Sequence, residues 1–464
     1  MHLPRKFQRV HMIGIGGSGM SGIAEILHNL GFQVTGSDLS PSAITRRLES
    51  LGIPVSYGHD PQHLGDAQVV VYSTAIPPDN PELVEARRRK LAVIHRAEML
   101  AELMRMKYSI AVSGSHGKTT TTSMIAHVLS HAGLKPTVFV GGILRDSGTG
   151  GQAGQGPYMV AEADESDASF LKLYPTIAVV TNVDREHLNH YGNFIRLKQA
   201  FLEFVDKVPF YGLALLNRDD PHAAEVAEAA SRRVMTYGFH PEADLVAENP
   251  WSEGFEGRAQ VRYHQQVLGT LHLPVPGLHN LQNALAAIAV ALELEIPADT
   301  ALEALAGFQG VMRRFEIKGT RAGITVVDDY GHHPTEIRRV LETARRYWKK
   351  GRIVVVFQPH RYSRTALLYR HFGPALRLAD LVLLTPIYAA GEAPLPGITS
   401  ALLLEGFPPQ ERERVRLVDS LDDALKALQQ LVQPGDLVIT LGAGNVYTVG
   451  EKLLEELAQW KGNA

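Results

Sequence analysis

Short apolar runs alternate with helical stretches almost from end to end of this chain, which leaves room for little besides parallel α/β architecture. Residues 10–15 read as a buried strand and 18–30 as the helix after it. Residues 34–37 and 68–73 read as further strands of the same sheet. A second unit begins near Lys107, where a strand at 108–113 ends in a glycine-rich turn, and it continues through strands at 158–161 and 177–181. From 237 to 275 the pattern changes to scattered alternation, as in antiparallel strands on a sheet edge. A third unit opens around Phe315, with strands at 324–328, 353–357, 381–385 and 437–441. At 464 residues the chain exceeds what one core supports.

Composition removes several classes of function. Apolar residues make up 45% and charged residues 20%, an ordinary globular balance. With 46 basic and 49 acidic residues the net charge is −3, which argues against nucleic acid as a partner. No run approaches the ~18–20 apolar residues that span a bilayer, so membrane insertion is not expected. The polar start runs straight into a strand without a signal-peptide pattern, and the expected location is cytoplasmic. Cysteine is absent, which excludes disulfides, thiolate metal sites and an enzyme thioester.

Three constellations carry chemistry. The first is Gly14-Ile15-Gly16-Gly17-Ser18-Gly19, a complete G-x-G-x-x-G between strand and helix, with Asp38 closing the next strand. Glycines let backbone turn tightly against a diphosphate at a helix N-terminus, and an acid ~20 residues on can accept a ribose hydroxyl. Alone, this fragment reads as an NAD-linked dehydrogenase. What it physically reports is a nucleotide diphosphate, and UDP satisfies that as well as NAD does.

The second is Gly114-Ser115-His116-Gly117-Lys118-Thr119-Thr120 after an apolar strand, a shortened phosphate loop. Backbone N–H groups and a helix N-terminus cradle phosphates there, Lys118 reaches the β/γ oxygens of a nucleoside triphosphate, and Thr119 can ligate Mg²⁺. Downstream, the strand at 158–161 ends in Glu162 and Asp164. Glu162, nearer the strand, is the candidate second metal partner, while Asp164 reads as a solvated strand end. His187 could supply an imidazole to the metal, but a lone histidine is usually structural.

The third lies in the last unit. Asp328-Asp329-Tyr330-Gly331-His332-His333-Pro334 closes one strand and Gln358-Pro359-His360-Arg361-Tyr362-Ser363-Arg364 closes the next. Open α/β sheets build sites at such carboxyl ends. Arg361 and Arg364, three apart, can converge on one carboxylate if the segment enters a helix.

Taken together, these segments resemble the Mur ligase family over essentially the whole chain. In order they are HMIGIGGSGMSG at 11–22, VSGSHGKTTTT at 112–122, EADESD at 162–167, TNVDREHLNHYG at 181–192, GLHNLQNALAA at 277–287, RRFE at 313–316, DDYGHHPTE at 328–336 and QPHRYSRT at 358–365. The glycine fingerprint and the last two segments narrow the resemblance to the branch that adds L-alanine to UDP-N-acetylmuramate. It implies an ATP-dependent amide ligase of peptidoglycan precursor synthesis, with ATP and Mg²⁺ (or Mn²⁺) as cofactors. It also implies three domains: a Rossmann-like one at 1–107 for the UDP sugar, a central P-loop ATPase-like one at 108–314, and a Rossmann-like one at 315–464 for the amino acid.

Residue roles carry over with the resemblance. Gly14, Gly16, Gly17, Ser18 and Gly19 hold the diphosphate, while Asp38, Ser73 and Thr74 face the uridine. Gly114 to Thr120 serve ATP, with His279, Asn280 and Asn283 at the adenine and Arg314 and Asp328 reaching ATP from the third domain. Thr119, Glu162 and His187 hold the metal. Tyr330, His332, Arg361 and Arg364 surround the amino acid, and Lys118, Glu162, His187 and Arg361 form the catalytic set. One departure is visible: several Mur ligases place a carbamylated lysine on the helix after His187, whereas Phe201 stands at that position here, with Lys198 three residues off. Three rivals stay open: a sibling ligase attaching a recycled peptide to the same UDP sugar, an NAD-dependent oxidoreductase, and a P-loop switch without ligase chemistry.

Overall fold

The computed structural model describes residues 8–73, 75–141, 150–185, 188–253, 256–349 and 351–459. They form two compact units, Met1–Ser252 with Glu256–Gln309, and Gly310–Ala464 with Glu253–Phe255.

The first unit holds two sheets. One is a parallel five-stranded sheet in the order Val55–Tyr57, Gln33–Asp38, Arg9–Ile13, Val69–Tyr72, Ala92–His95. Its strand order reverses at Arg9–Ile13, which opens a crevice beyond that strand's carboxyl end. The Gly14 turn sits there. The other sheet has ten strands, with a parallel centre ordered Leu213–Asn217, Ile177–Val180, Tyr108–Ser113, Tyr158–Glu162, Thr137–Phe139. Glu256–Tyr263 and Gln266–Leu273 form the antiparallel edge that the alternation predicts. The first pairing of that region differs: Leu245–Glu253 joins Val234–Gly238 in parallel, over Tyr237 and Gly238.

Two helices fix the loops of the large sheet. Lys118–His131 buries Met124, Ile125, Val128 and Leu129, and it packs along Leu278–Glu293. In Leu278–Glu293 every residue from Asn283 to Ala291 is buried, five of them alanine. An all-round apolar helix rich in alanine belongs in a core and lets a neighbouring backbone approach closely. The loop carrying Lys118 is therefore seated on a rigid base.

In the second unit, Glu316–Arg321 runs antiparallel to Ile324–Asp329, followed by Leu437–Leu441, Ile353–Phe357, Leu381–Leu384 and Val415–Leu417 in parallel. The strands bearing the Tyr330 and Arg361 segments are consecutive in sequence order of their units but not neighbours in space. Leu437–Leu441 lies between them. It ends at Gly442, and a Cβ on Gly444 would come 2.2 Å from Gln358 Oε1 and 2.7 Å from the Tyr388 ring. Glycine at 444 is what leaves room for Gln358 and the Tyr388 ring.

Phe201, at the position where a carbamylated lysine is expected in some relatives, is a core residue. It is fully buried and meets Phe170 edge-on at 5.3 Å, while Phe170 stacks on Phe204 at 5.1 Å. Lys198 forms an ion pair with Glu225 and lies over the Phe194 ring. Removing the Phe201 ring leaves a cavity that close-packed neighbours only partly fill, so Phe201→Ala is expected to cost about 3–5 kcal/mol of stability. A urea titration of the folded chain measures this, and a loss below about 1 kcal/mol would contradict the packing described.

Candidate active site

The glycine turn is held from below by backbone. Gly14 (φ +75°) and Ile15 donate their N–H groups to the Ser37 carbonyl at 2.8 and 3.0 Å. The Ser37 hydroxyl in turn donates to Glu82 Oε2 at 2.8 Å, a fully buried carboxylate that also meets His11 and His59. Burial alone would raise the Glu82 pKa, but hydrogen bonds from His11 and Ser37 and the His11 charge hold it down at about 2. Asp38 clamps the turn: Oδ2 accepts the Gly16 N–H and Oδ1 the Leu39 N–H, both at 2.8 Å. A ribose hydroxyl would use its remaining lone pairs. Any side chain at residue 16 would collide with Asp38, since a Cβ there lies 2.8 Å from Oδ2. Ser73 ends the strand Val69–Tyr72 and accepts the Ile76 N–H on its carbonyl at 3.0 Å. Thr74 lies outside the described residues.

Helix N-termini in this chain are closed in more than one way. Ser42, Asn80, Asn193, Asp220 and Ser420 each cap a helix with a side-chain oxygen. The helices Ser18–Asn29, Lys118–His131 and Leu278–Glu293 begin instead at Gly17, Gly117 and Gly277, without a side-chain cap. Their first-turn N–H groups are left for something other than a capping side chain.

Around the phosphate loop, Gly114 (φ +136°) runs so close to the next strand that a Cβ would fall 2.1 Å from Thr181 Oγ1. Asn182 braces the loop, accepting the His116 N–H at 2.9 Å and donating to the His116 carbonyl at 3.0 Å, while its own carbonyl takes the Ser115 N–H at 3.1 Å. The cradle is thus narrower than expected, because the Ser115 and His116 N–H groups are engaged by Asn182. The open donors are those of the helix start after Gly117. The His116 ring meets Asp184 at 3.3 Å, and Thr120 is half-buried on the helix. Asn283 overlies the turn: a Cβ on Gly117 would come 2.8 Å from its Oδ1, and its amide donates to Asn280 at 3.2 Å. His279 stands beside them, with its ring against Gly277.

Lys118 donates to the Gly114 carbonyl at 2.7 Å and to Glu165 Oε1 at 3.0 Å, and it lies 2.9 Å from Glu165 Oε2 as an ion pair. Burial pulls its pKa down, yet the Glu165 and Glu162 charges outweigh this and keep the amine protonated. Glu165 is a partner of Lys118 that sequence reasoning missed. It stands inside the EADESD segment, but no spacing distinguishes it from the acids beside it. Thr119 Oγ1 donates to Glu162 at 3.0 and 3.1 Å, and Glu162 Oε2 also accepts the Gly141 N–H at 2.6 Å. A hydroxyl and a carboxylate side by side give the hard oxygen donors that Mg²⁺ takes, with waters and phosphates supplying the rest. Among the described residues no group of three or more histidine or acidic side chains could hold a metal ion, and His187 lies outside them. Asp164 corrects the sequence reading. It is half-buried and lines a cavity of about 120 Å³ together with Arg96, Lys118, Gly141, Glu162 and Phe170.

In the second unit, Asp328 is buried and turned inward, accepting from Thr440 at 2.6 Å and from Arg313 at 3.0 Å. It was expected to reach outward toward a nucleotide; in this structure its oxygens serve Arg313 and Thr440. Asp329 accepts the N–H groups of Phe315 and Gly331, each at 2.7 Å, and burial pushes its pKa up to about 6. These bonds hold Arg313 and Phe315 at φ +58° and +45°, strained values for such side chains. Arg313 and Arg314 both lie over the Tyr330 ring.

Across the short gap, His332 meets Tyr330 edge-on at 5.4 Å and His360 at 5.5 Å, and His360 stacks on Tyr388. Arg361 (φ +71°) opens the helix Tyr362–Leu376, donates its N–H to the Tyr388 carbonyl at 2.8 Å, and precedes Arg364 by three residues, as the spacing predicts. Burial, then the charges of His332, Arg364 and Arg361, push His360 down to about 4, so it is neutral at pH 7. The structure thus gathers Tyr330, His332 and Arg364 with two residues not foreseen, His360 and Tyr388. No helix of the described residues is long and apolar enough to cross a membrane.

Comparison with known proteins agrees with this layout. Residues 9–108 match the profile described as Mur ligase family, catalytic domain; 112–291 match the Mur ligase middle domain, and 313–444 the Mur ligase, glutamate ligase domain. A Geobacter protein named UDP-N-acetylmuramate–L-alanine ligase is 52% identical over 453 residues, 97% of this chain and 98% of its own length. One of the same name from Trichlorobacter lovleyi is 51% identical over 97% of this chain and 99% of its own. The crystal structure of a UDP-N-acetylmuramate–alanine ligase from Thermotoga maritima aligns with TM-score 0.80 at 31% identity, covering 97% of this chain and 99% of that one. A murein peptide ligase from Psychrobacter arcticus shares the fold, with TM-score 0.70 at 24% identity over 98% of this chain and 100% of its own. On these full-length matches, the chain belongs to the Mur ligase family.

Proposed function

We propose that this chain joins L-alanine to the carboxylate of UDP-N-acetylmuramate at the expense of ATP, releasing ADP and phosphate, as a step of peptidoglycan precursor synthesis. The observation that carries this reading is one cavity lined by Lys118 and Glu162, with Thr119 bonded to Glu162 at its edge. The domains divide at 1–107 for the sugar nucleotide, 108–314 for ATP and 315–464 for the amino acid.

A carboxylate is a poor acyl donor because oxide does not leave. Moving the γ-phosphoryl of ATP onto that oxygen gives an acyl phosphate, from which phosphate can leave when the α-amine attacks. Several negative charges meet at the first step, so neutralisation and positioning dominate the catalytic work. Lys118 places its ammonium at the β/γ oxygens, and the helix start after Gly117 adds N–H donors. Thr119, Glu162 and His187 would hold Mg²⁺, which supplies charge neutralisation at the transferring group. A carbamylated lysine has no part here, since Phe201 fills that position and Lys198 is paired with Glu225. Asn283, with His279 and Asn280, meets the adenine. Arg314 serves the nucleotide from the third domain, while Asp328 holds Arg313 in place. Tyr330, His332, Arg361 and Arg364 receive alanine, the arginines taking its carboxylate.

Phosphate release from ATP, followed with UDP-N-acetylmuramate and a panel of amino acids, tests the reading. Release is expected to require both co-substrates, with L-alanine best. Equal turnover with L-alanyl peptides would reassign the chain to peptide recycling, and turnover of NAD would remove the ligase reading. Within this scheme Lys118→Ala is expected to leave the fold intact and cut kcat at least ~100-fold, since a preorganised charge contact of this kind is worth on the order of 3–4 kcal/mol. Near-normal turnover in the folded variant would show that this loop does not serve ATP.

A further inference from the structure

Arg96 follows the last strand of the five-stranded sheet and opens the helix Arg96–Arg105. Its half-buried side chain touches two places at once. A Cβ on Gly19 would come 2.5 Å from Arg96 Nη1 and 3.3 Å from its Cδ and Cζ, so the guanidinium lies against the glycine turn. The same side chain lines the cavity shared with Lys118, Glu162 and Asp164. Among the described residues it takes part in no ion pair and no side-chain hydrogen bond. Nearby carboxylates are already engaged: Glu98 accepts from Lys172 at 2.6 Å, and Asp167 accepts the Ser169 N–H at 3.0 Å. A guanidinium carries five donors, and leaving them idle in a half-buried setting is costly unless an anion arrives to take them.

We propose that Arg96 binds the diphosphate of the sugar nucleotide from the cavity side, opposite the N–H groups of the glycine turn. This rests on the reading that the turn holds a UDP sugar. Fork geometry suits guanidinium to two phosphate oxygens at once, and lysine cannot reproduce it. Because the one side chain touches both the turn and the cavity, it also fixes how far the acid end of the substrate reaches toward Lys118.

Calorimetric titration of the full chain with UDP-N-acetylmuramate, UDP-N-acetylglucosamine and ATP tests the assignment, since the second ligand keeps the diphosphate and lacks the carboxylate. Arg96→Ala is expected to weaken both sugar nucleotides alike, by about 10- to 100-fold, and to leave ATP within about twofold. Arg96→Lys, which keeps the charge and the stem, is expected to recover part of the loss, and it carries the test if the alanine variant fails to fold. A loss confined to UDP-N-acetylmuramate would move Arg96 to the carboxylate, and a loss confined to ATP would move it to the phosphate loop. Unchanged affinities would remove it from the site. Each of these overturns the proposal. Failure of the unsubstituted protein to bind either sugar nucleotide would instead overturn the reading of the glycine turn.

Discussion

A buried ammonium sets the terms for the first unit. Lys118 is mostly withdrawn from water, and burying such a charge is tolerable only with an opposite charge and hydrogen bonds in good geometry. Glu165 and the Gly114 carbonyl supply them. Each depends on the parallel sheet: Tyr158–Glu162 must pair with Tyr108–Ser113 for the acidic segment to emerge beside the loop. The Tyr191 hydroxyl then donates to the Glu165 carbonyl at 2.5 Å and holds that segment in place. Under the proposed function a triphosphate would enter a site where the cation is already charged and oriented, and would compete with Glu165 for the same amine. Preorganisation of this kind is what makes a charge contact worth most at the moment of reaction.

The same economy appears at the helix starts. Ser42, Asn80, Asn193, Asp220 and Ser420 close helix N-termini with a side-chain oxygen. At Gly17, Gly117 and Gly277 the cap is glycine, and the N–H groups stay available. Glycine is also forced there by crowding, since Asp38, Thr181 and Asn283 press against the two loops closely enough to exclude a side chain at residues 16, 114 and 117. One residue type thus satisfies both the steric demand of the loop and the electrostatic demand of an anion.

Much of this is legible in the sequence. Strand–turn–helix junctions at Gly14 and Gly114 announce themselves because backbone geometry restricts which residues can stand there, and the parallel sheets follow from the apolar runs. What was not legible depends on contacts between distant segments. Glu165 looks like any acid in its run until the fold turns it onto Lys118. His360 and Tyr388 become partners of His332 only because Leu437–Leu441, from the far end of the chain, inserts between their strands and ends in glycines. Asp328 read as a ligand-facing residue because it ends a strand, yet it points inward, since Thr440 arrives from that same inserted strand to donate to it. Local pattern identifies where a loop can hold phosphate; it does not say which carboxylate the loop's lysine will meet.

In the proposed reaction the cavity at Lys118 transfers a phosphoryl group onto the sugar's carboxylate. Placing ¹⁸O in that carboxylate and following the label by mass spectrometry of the released phosphate tests it most directly. One labelled oxygen in inorganic phosphate for each amide formed is the result predicted. Label in AMP, with pyrophosphate as co-product, would show an acyl-adenylate route and contradict it.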